Sequence, residues 1–190
     1  MDGIIPLYKE RGMTSFACVS RLRQILKTKK IGHSGTLDPG VAGVLPICVG
    51  NATKVVDYLM QSGKQYQGEL LIGFATTTQD LDGEKIEDKE VTNEIPTSEI
   101  LSAMNSLTGT IIQIPPMYSA VKVNGKKLYE YARAGETVER PKRQVTISKF
   151  KLLSSKYDEE NKQQRIRFNV ECSKGTYIRT LVVDLARKLG

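Results

Sequence analysis

Apolar positions recur at helical spacing early in the chain, where Phe16, Val19, Leu22, Ile25 and Leu26 form one stripe and Thr14 or Ser15 precedes it as a cap. A short continuous apolar run, Val44-Leu45-Pro46-Ile47-Cys48-Val49-Gly50, predicts a buried strand. Residues 52–61 predict a second helix with Val55, Val56, Leu59 and Met60 inward and Gly63 as its stop. Tyr66, Gly68, Leu70, Ile72 and Phe74 then alternate with polar or smaller residues as in one long strand, which puts Tyr66 on the inward row. A polar, turn-rich connection over 76–83 leads to a strand within 84–92. Pro96-Thr97-Ser98 opens a third helix that ends at Gly109. Residues 110–114 predict a strand stopped by Pro115-Pro116, and 119–123 a strand running into the tight-turn signal Asn124-Gly125. A short helix over 128–134 is stopped by Gly135. Two strand-rich segments, 138–153 and 165–172, flank a polar stretch, 154–164, that predicts an exposed hairpin loop. An amphipathic helix over 176–189 follows. With no internal repeat or low-complexity linker, a single α+β domain spanning 1–190 is expected.

Composition narrows the class. With 39% hydrophobic residues, the 190-residue chain can bury an ordinary globular core. Its longest apolar runs fall far short of the roughly 20 residues that cross a bilayer, and the N-terminus lacks a signal-peptide pattern, so a cytoplasmic protein without a membrane partner is expected. Cys18, Cys48 and Cys172 lie far apart in apolar surroundings and read as small buried hydrophobes. One histidine and no clustered cysteines make no zinc site, and no metal is expected. The net charge of +7 favours an anionic partner. From Lys122 to Arg143 seven basic residues (Lys122, Lys126, Lys127, Arg133, Arg140, Lys142, Arg143) face three acidic ones, interleaved with Tyr129 and Tyr131, a footprint suited to phosphates with aromatic surfaces nearby.

Candidate chemistry concentrates in Gly32-His33-Ser34-Gly35-Thr36-Leu37-Asp38-Pro39-Gly40, which sets the only histidine and a carboxylate into a loop. Its glycines allow close backbone approach, while Pro39 fixes its own φ and biases Asp38 toward an extended conformation. An Asp-Pro-Gly in water is ordinarily only a turn; the buried strand that follows anchors this one against the core.

The loop, with its continuation Gly50-Asn51-Ala52-Thr53-Lys54, resembles the catalytic motif of the TruB family of pseudouridine synthases, the bacterial tRNA pseudouridine-55 synthases. Leu7-Tyr8-Lys9 with Gly12-Met13-Thr14-Ser15, Lys64-Gln65-Tyr66, Pro115-Pro116-Met117-Tyr118-Ser119-Ala120-Val121-Lys122 and Lys174-Gly175-Thr176-Tyr177-Ile178-Arg179-Thr180-Leu181 are similar to that family's other blocks, in its order. Tyr8, Glu10 and Ser34 are variants of the commoner pattern. The resemblance implies the pseudouridine synthase fold, a mixed, largely antiparallel central sheet flanked by helices. It also implies that the chain lacks a C-terminal part of the catalytic domain and a small RNA-binding domain. The implied reaction is a cofactor-free isomerisation of a T-loop uridine, position 55, in the T arm of a tRNA, carried out by a monomer.

By the same resemblance Asp38 is the nucleophile, attacking C6 of the base or initiating its loss from C1′, and Arg179 pairs with it to keep it ionised. Tyr66 stacks on the flipped base and assists removal of the C5 proton. His33 fills the space vacated in the RNA. Lys9, with Gly35 and Leu37, supports the catalytic loop from behind. The segment Pro116 to Ser119 shapes the site wall, and Lys64, Tyr118, Lys122, Lys126, Lys127, Arg140, Lys142 and Arg143 grip the RNA. Two other readings share these residues: a guide-RNA-dependent H/ACA-type catalytic subunit, and a non-catalytic RNA-binding module or tRNA chaperone.

Overall fold

The computed structural model describes residues 1–190. Its contacts fall into two compact units, Met1–Ser62 and Gly63–Gly190. The fold is α+β, with antiparallel sheets and five α-helices.

The first unit holds β1 (Gly3–Lys9), α1 (Ser15–Ile25), β2 (Ile31–His33), β3 (Gly43–Val49), a 3₁₀ helix (Gly50–Val55) and α2 (Val56–Gln61). Its three strands pair antiparallel in the order β1-β3-β2, with Lys9 opposite Gly43 and His33 opposite Ile47. Cys18, Val19, Ile31, Leu45, Ile47 and Val49 form its core, with Ile5, Leu7, Leu22, Leu26 and Leu37 packed against them. Period-two alternation on β1 sends Ile5, Leu7 and Lys9 inward. The α1 stripe differs from expectation, because Phe16 and Ile25 are each 64% exposed. The buried face is led instead by Ser15, Cys18 and Val19, and turning the Ser15 hydroxyl toward the interior swings Phe16 out, its ring under the Arg23 guanidinium. Val55 and Met60 are likewise exposed: residues 50–55 wind at three residues per turn, so an α-helical count starting there mis-assigns the inward face.

The second unit holds β4 (Lys64–Ile72), β5 (Phe74–Thr76), β6 (Lys85–Asp88), α3 (Thr97–Ser106), β7 (Gly109–Gln113), β8 (Lys122–Val123), β9 (Lys126–Lys127), α4 (Leu128–Arg133), β10 (Arg143–Asp158), β11 (Gln163–Cys172) and α5 (Ile178–Lys188). Four strands pair antiparallel in the order β4-β11-β10-β7, and β5-β6 and β8-β9 form separate hairpins. The inward rows of the sheet pack with α3 and α5 around Ile100, Met104, Ile147, Phe150, Ile166, Phe168, Val170, Leu181 and Leu185. Phe150 and Phe168 meet edge to face at 5.4 Å. Tyr66 is half-buried against this core, on the row the alternation predicts.

Two expectations change here. The strand predicted through Phe74 breaks at Gly73, and Phe74 starts the β5-β6 hairpin. The segment 154–164 is not a loop: β10 runs to Asp158 and β11 resumes at Gln163, with Ser155 opposite Ile166 and Tyr157 opposite Gln164. Its inward positions are polar yet satisfied. The fully buried Gln164 amide donates to Ser155 Oγ at 2.6 Å and accepts from the Ile95 N–H at 2.9 Å, so a hydrophobic pattern has nothing to register.

Candidate active site

The loop between β2 and β3 is held on both sides of Asp38. Before it, the Ser15 hydroxyl, 2% exposed as a residue, accepts from the Leu37 N–H at 3.0 Å and donates to the Leu37 carbonyl at 3.2 Å. After it, the Pro39 carbonyl accepts from the Gly12 N–H at 2.8 Å and from the Lys9 ammonium at 3.4 Å. Lys9 is 1% exposed, and its ammonium also donates to Met13 O at 2.8 Å and Glu10 O at 3.0 Å. All three protons of a buried cation therefore have an acceptor, which is the condition for burying it at all. The Leu37 side chain packs on the core of the unit, and the Asp38 carbonyl accepts from the Val41 N–H at 3.0 Å, closing the turn. Asp38 is half-buried on a short, pinned span rather than in a free loop. Gly35 sits at φ +131, a conformation that L side chains rarely adopt, and its carbonyl accepts a hydrogen bond from His33 Nδ1.

Tyr66 and Arg179 belong to the second unit. Arg179 follows the start of α5 and is largely buried, its side chain 17% exposed. Its guanidinium donates to Thr78 O at 2.9 Å and to Tyr118 O at 3.0 Å, and Nε lies 3.9 Å from Asp80 Oδ2. Asp80 is itself oriented: its other oxygen accepts from the Thr78 hydroxyl and from the Asp82 N–H, and Thr76 Oγ1 donates to Asp80 O at 2.6 Å. A Cβ at Gly83 would stand 2.3 Å from Thr78 Oγ1, so the connection can fold this tightly only over a glycine. Gln79 within it holds φ +61, a strain typical of functional loops. The start of α5 is fixed by Gln113, 1% exposed on the inward row of β7. Its amide accepts from the Tyr177 N–H at 3.0 Å and donates to the Tyr177 carbonyl at 3.2 Å.

The predicted RNA-gripping residues are distributed over the second unit. Tyr118, through its carbonyl, is part of the Arg179 site. Lys122, Lys126 and Lys127 lie on the β8-β9 hairpin, whose two-residue turn is Asn124-Gly125 as the sequence predicts. Lys126 forms an ion pair with Glu136 at 2.9 Å and stands over the Tyr131 ring, and Lys127 stands over Tyr129. Arg140 donates to Pro115 O at 3.0 Å, whereas Lys142 and Arg143 are exposed. Lys64 opens β4, two residues before Tyr66.

Ser15, Thr78, Asp80 and Gln113 were not legible as site residues. Thr76-Thr77-Thr78-Gln79-Asp80 did carry a signal, since hydroxyl and carboxylate side chains two residues apart build such turns. All three cysteines are free and buried, and burial pushes the Cys48 and Cys172 thiols up. No three His, Cys, Asp or Glu side chains cluster as metal ligands would, and no helix is long and apolar enough to cross a membrane.

The family model described as TruB family pseudouridylate synthase (N terminal domain) matches residues 23–178. A tRNA pseudouridine synthase B of Limosilactobacillus reuteri (strain DSM 20016) is 96% identical over 190 residues, covering 100% of this chain and 63% of its own length. Its namesake in Lactiplantibacillus plantarum is 60% identical over 191 residues, covering 100% of this chain and 62% of the relative. The chain thus spans under two thirds of the length of these relatives. Among solved structures, a Cbf5-Nop10-Gar1 complex contains a chain similar at TM-score 0.71 and 30% identity, over 99% of this chain and 44% of that one. An H/ACA ribonucleoprotein bound to a substrate RNA containing 2′-deoxyuridine contains another, at TM-score 0.67 and 26% identity over 99% and 43%.

Proposed function

The chain belongs to the TruB family of pseudouridylate synthases, and we propose that it carries the catalytic chemistry of a tRNA pseudouridine synthase acting on the T-loop uridine at position 55. The observation that carries this reading is the pinned span at Asp38. A carboxylate nucleophile must be ionised and presented without searching for its geometry, and here the residues on either side are each tied through backbone atoms to Ser15, Gly12 and Lys9. The names of the relatives support a tRNA as substrate.

In this reading the uridine leaves its stack and enters the site, the C1′ to N1 bond breaks, the base rotates, and C1′ bonds to C5; C5 loses a proton and N1 gains one, so the reaction needs no redox or group-transfer partner. Asp38 is the nucleophile. Tyr66 stacks on the base and assists the proton leaving C5. Arg179 supplies a buried positive charge whose direction is set by the Thr78 and Tyr118 carbonyls and by Asp80. His33 handles the RNA beside the extruded nucleotide. Lys64 and the cations of the β8-β9 hairpin and beyond contact the T-arm backbone, and the protein works as a cytoplasmic monomer.

The test is incubation of the protein with an unmodified tRNA transcript, mapping pseudouridine by its chemical adduct, alongside Asp38→Asn. Product at the T-loop uridine, abolished by Asp38→Asn with RNA binding retained, is expected. Undiminished turnover in that variant overturns the nucleophile assignment, and binding without product in the unaltered protein leaves the chaperone reading ahead.

A further inference from the structure

The four-stranded sheet has its helices and apolar core on one face; on the other, β4, β10 and β11 present mainly polar side chains and the edge strand β7 adds the exposed Ile112. Along the open face β10 presents Lys149, Lys151, Ser154 and Lys156, and β11 presents Glu171, Asn169, Arg167 and Arg165 as their cross-strand partners. On the far side of β11, β4 adds Gln65, Gln67, Glu69 and Leu71. Two cations are answered within the face: Arg165 forms an ion pair with Glu69, and Lys149 with Glu171 at 3.5 Å. Lys151, Lys156 and Arg167 are exposed and form no ion pair within the face, although Glu69 lies across from Arg167 and Asp158 lies two residues beyond Lys156 on its row.

That arrangement is not what folding alone favours. Lys156 stands directly opposite Arg165, and like charges at a cross-strand pair destabilise a sheet. These three cations span five cross-strand pairs, from Lys151–Asn169 to Lys156–Arg165, four steps or about 14 Å along the strands. The exposed rows of these three strands carry no aromatic ring, so they offer bases nothing to stack on. A ligand that suits them is a regular polyanion, held by charge and by hydrogen bonds from Gln67 and Asn169, and indifferent to sequence.

We propose that the open face of the four-stranded sheet is a second RNA-contact surface, gripping the ribose-phosphate backbone of a helical stem through Lys151, Lys156 and Arg167. It rests on the reading of this chain as an RNA-modifying protein but not on Asp38 or turnover. RNA helices are recognised chiefly by shape and backbone, and a row of exposed cations on an open sheet face suits that mode.

The experiment measures binding of an unmodified tRNA transcript across a salt series for the unaltered protein, for the combined variant Lys151→Gln, Lys156→Gln, Arg167→Gln, and for a charge-matched control, Lys85→Gln, Lys89→Gln, Lys188→Gln. Removing three phosphate contacts is expected to flatten the slope of log K against log salt by about 2 to 3, with the control unchanged and the far-UV spectrum preserved. An unaltered slope in the sheet variant, or an equal loss in the control, overturns the proposal. So does a result in which the sheet variant loses only binding to anionic phosphatidylglycerol vesicles, which would make the surface a membrane contact. Asp38→Asn, run in parallel, separates the two readings, since it is expected to keep the full slope while losing product.

Discussion

Replacing Ser15 by alanine removes one oxygen and tests whether the carboxylate is presented by a rigid span. That oxygen makes both hydrogen bonds to the Leu37 main chain, at 3.0 and 3.2 Å, from a position 2% exposed. At about 0.5–1.5 kcal/mol each, their loss amounts to about 1–3 kcal/mol. The Leu37 N–H then loses the hydroxyl that accepts from it, so the cost falls locally, on the opening of the turn that carries Asp38. Hydrogen exchange reads this directly: with 1.4 kcal/mol per tenfold change, the Leu37 amide is expected to exchange about 5- to 140-fold faster. Thr14→Ala is the control. It deletes the helix cap, in which Thr14 Oγ1 accepts from the Ala17 N–H at 3.0 Å, but leaves the Leu37 bonds in place. If Ser15→Ala leaves Leu37 exchange unchanged, or if Thr14→Ala accelerates it equally, the clamp does not hold the turn.

Two further substitutions probe the second unit. Gln113→Leu keeps the volume of a buried side chain but removes both bonds to Tyr177, and is expected to destabilise by about 1–3 kcal/mol in urea unfolding; equal stability of the leucine and parent proteins would refute the tie. Asp184, on α5, has its carboxyl pushed up by burial, against the opposing pull of Arg187 and Lys188. A raised folded-state value means its favourable contribution is present below the unfolded value near 3.9 and is lost as pH rises through the folded one. Asp184→Asn should therefore stabilise the protein at pH 7 and give no gain at pH 3, and an equal gain at both would show that burial of the charge is not the cause.

The parts of the fold that were legible are those built by burying hydrocarbon. The β3 run, the inward row with Tyr66 and the amphipathic helix carrying Arg179 were all visible as periodic apolar positions. What was not legible rests on polar groups satisfied in the interior. Gln164, Ser155 and Gln113 occupy inward positions where a pattern expects aliphatics, so the outer part of the β10-β11 hairpin reads as a loop and the anchor of α5 as an ordinary strand residue. The short β2 leaves no sequence signature, because three residues with a glycine at the centre carry too little periodicity. At the site, Asp38 stood out through its constrained neighbours, whereas Asp80 was hidden in a polar turn whose purpose shows only once the guanidinium of Arg179, 3.9 Å from its carboxylate, is in view.

The buried ammonium of Lys9 addresses oxygens of the main chain at residues 10, 13 and 39, not any side chain there. An anchor of that kind is blind to what those residues are. Substitutions at Glu10 or Met13 that leave the chain path intact keep the latch, so this corner of the molecule is free to drift in sequence while its central acid stays put.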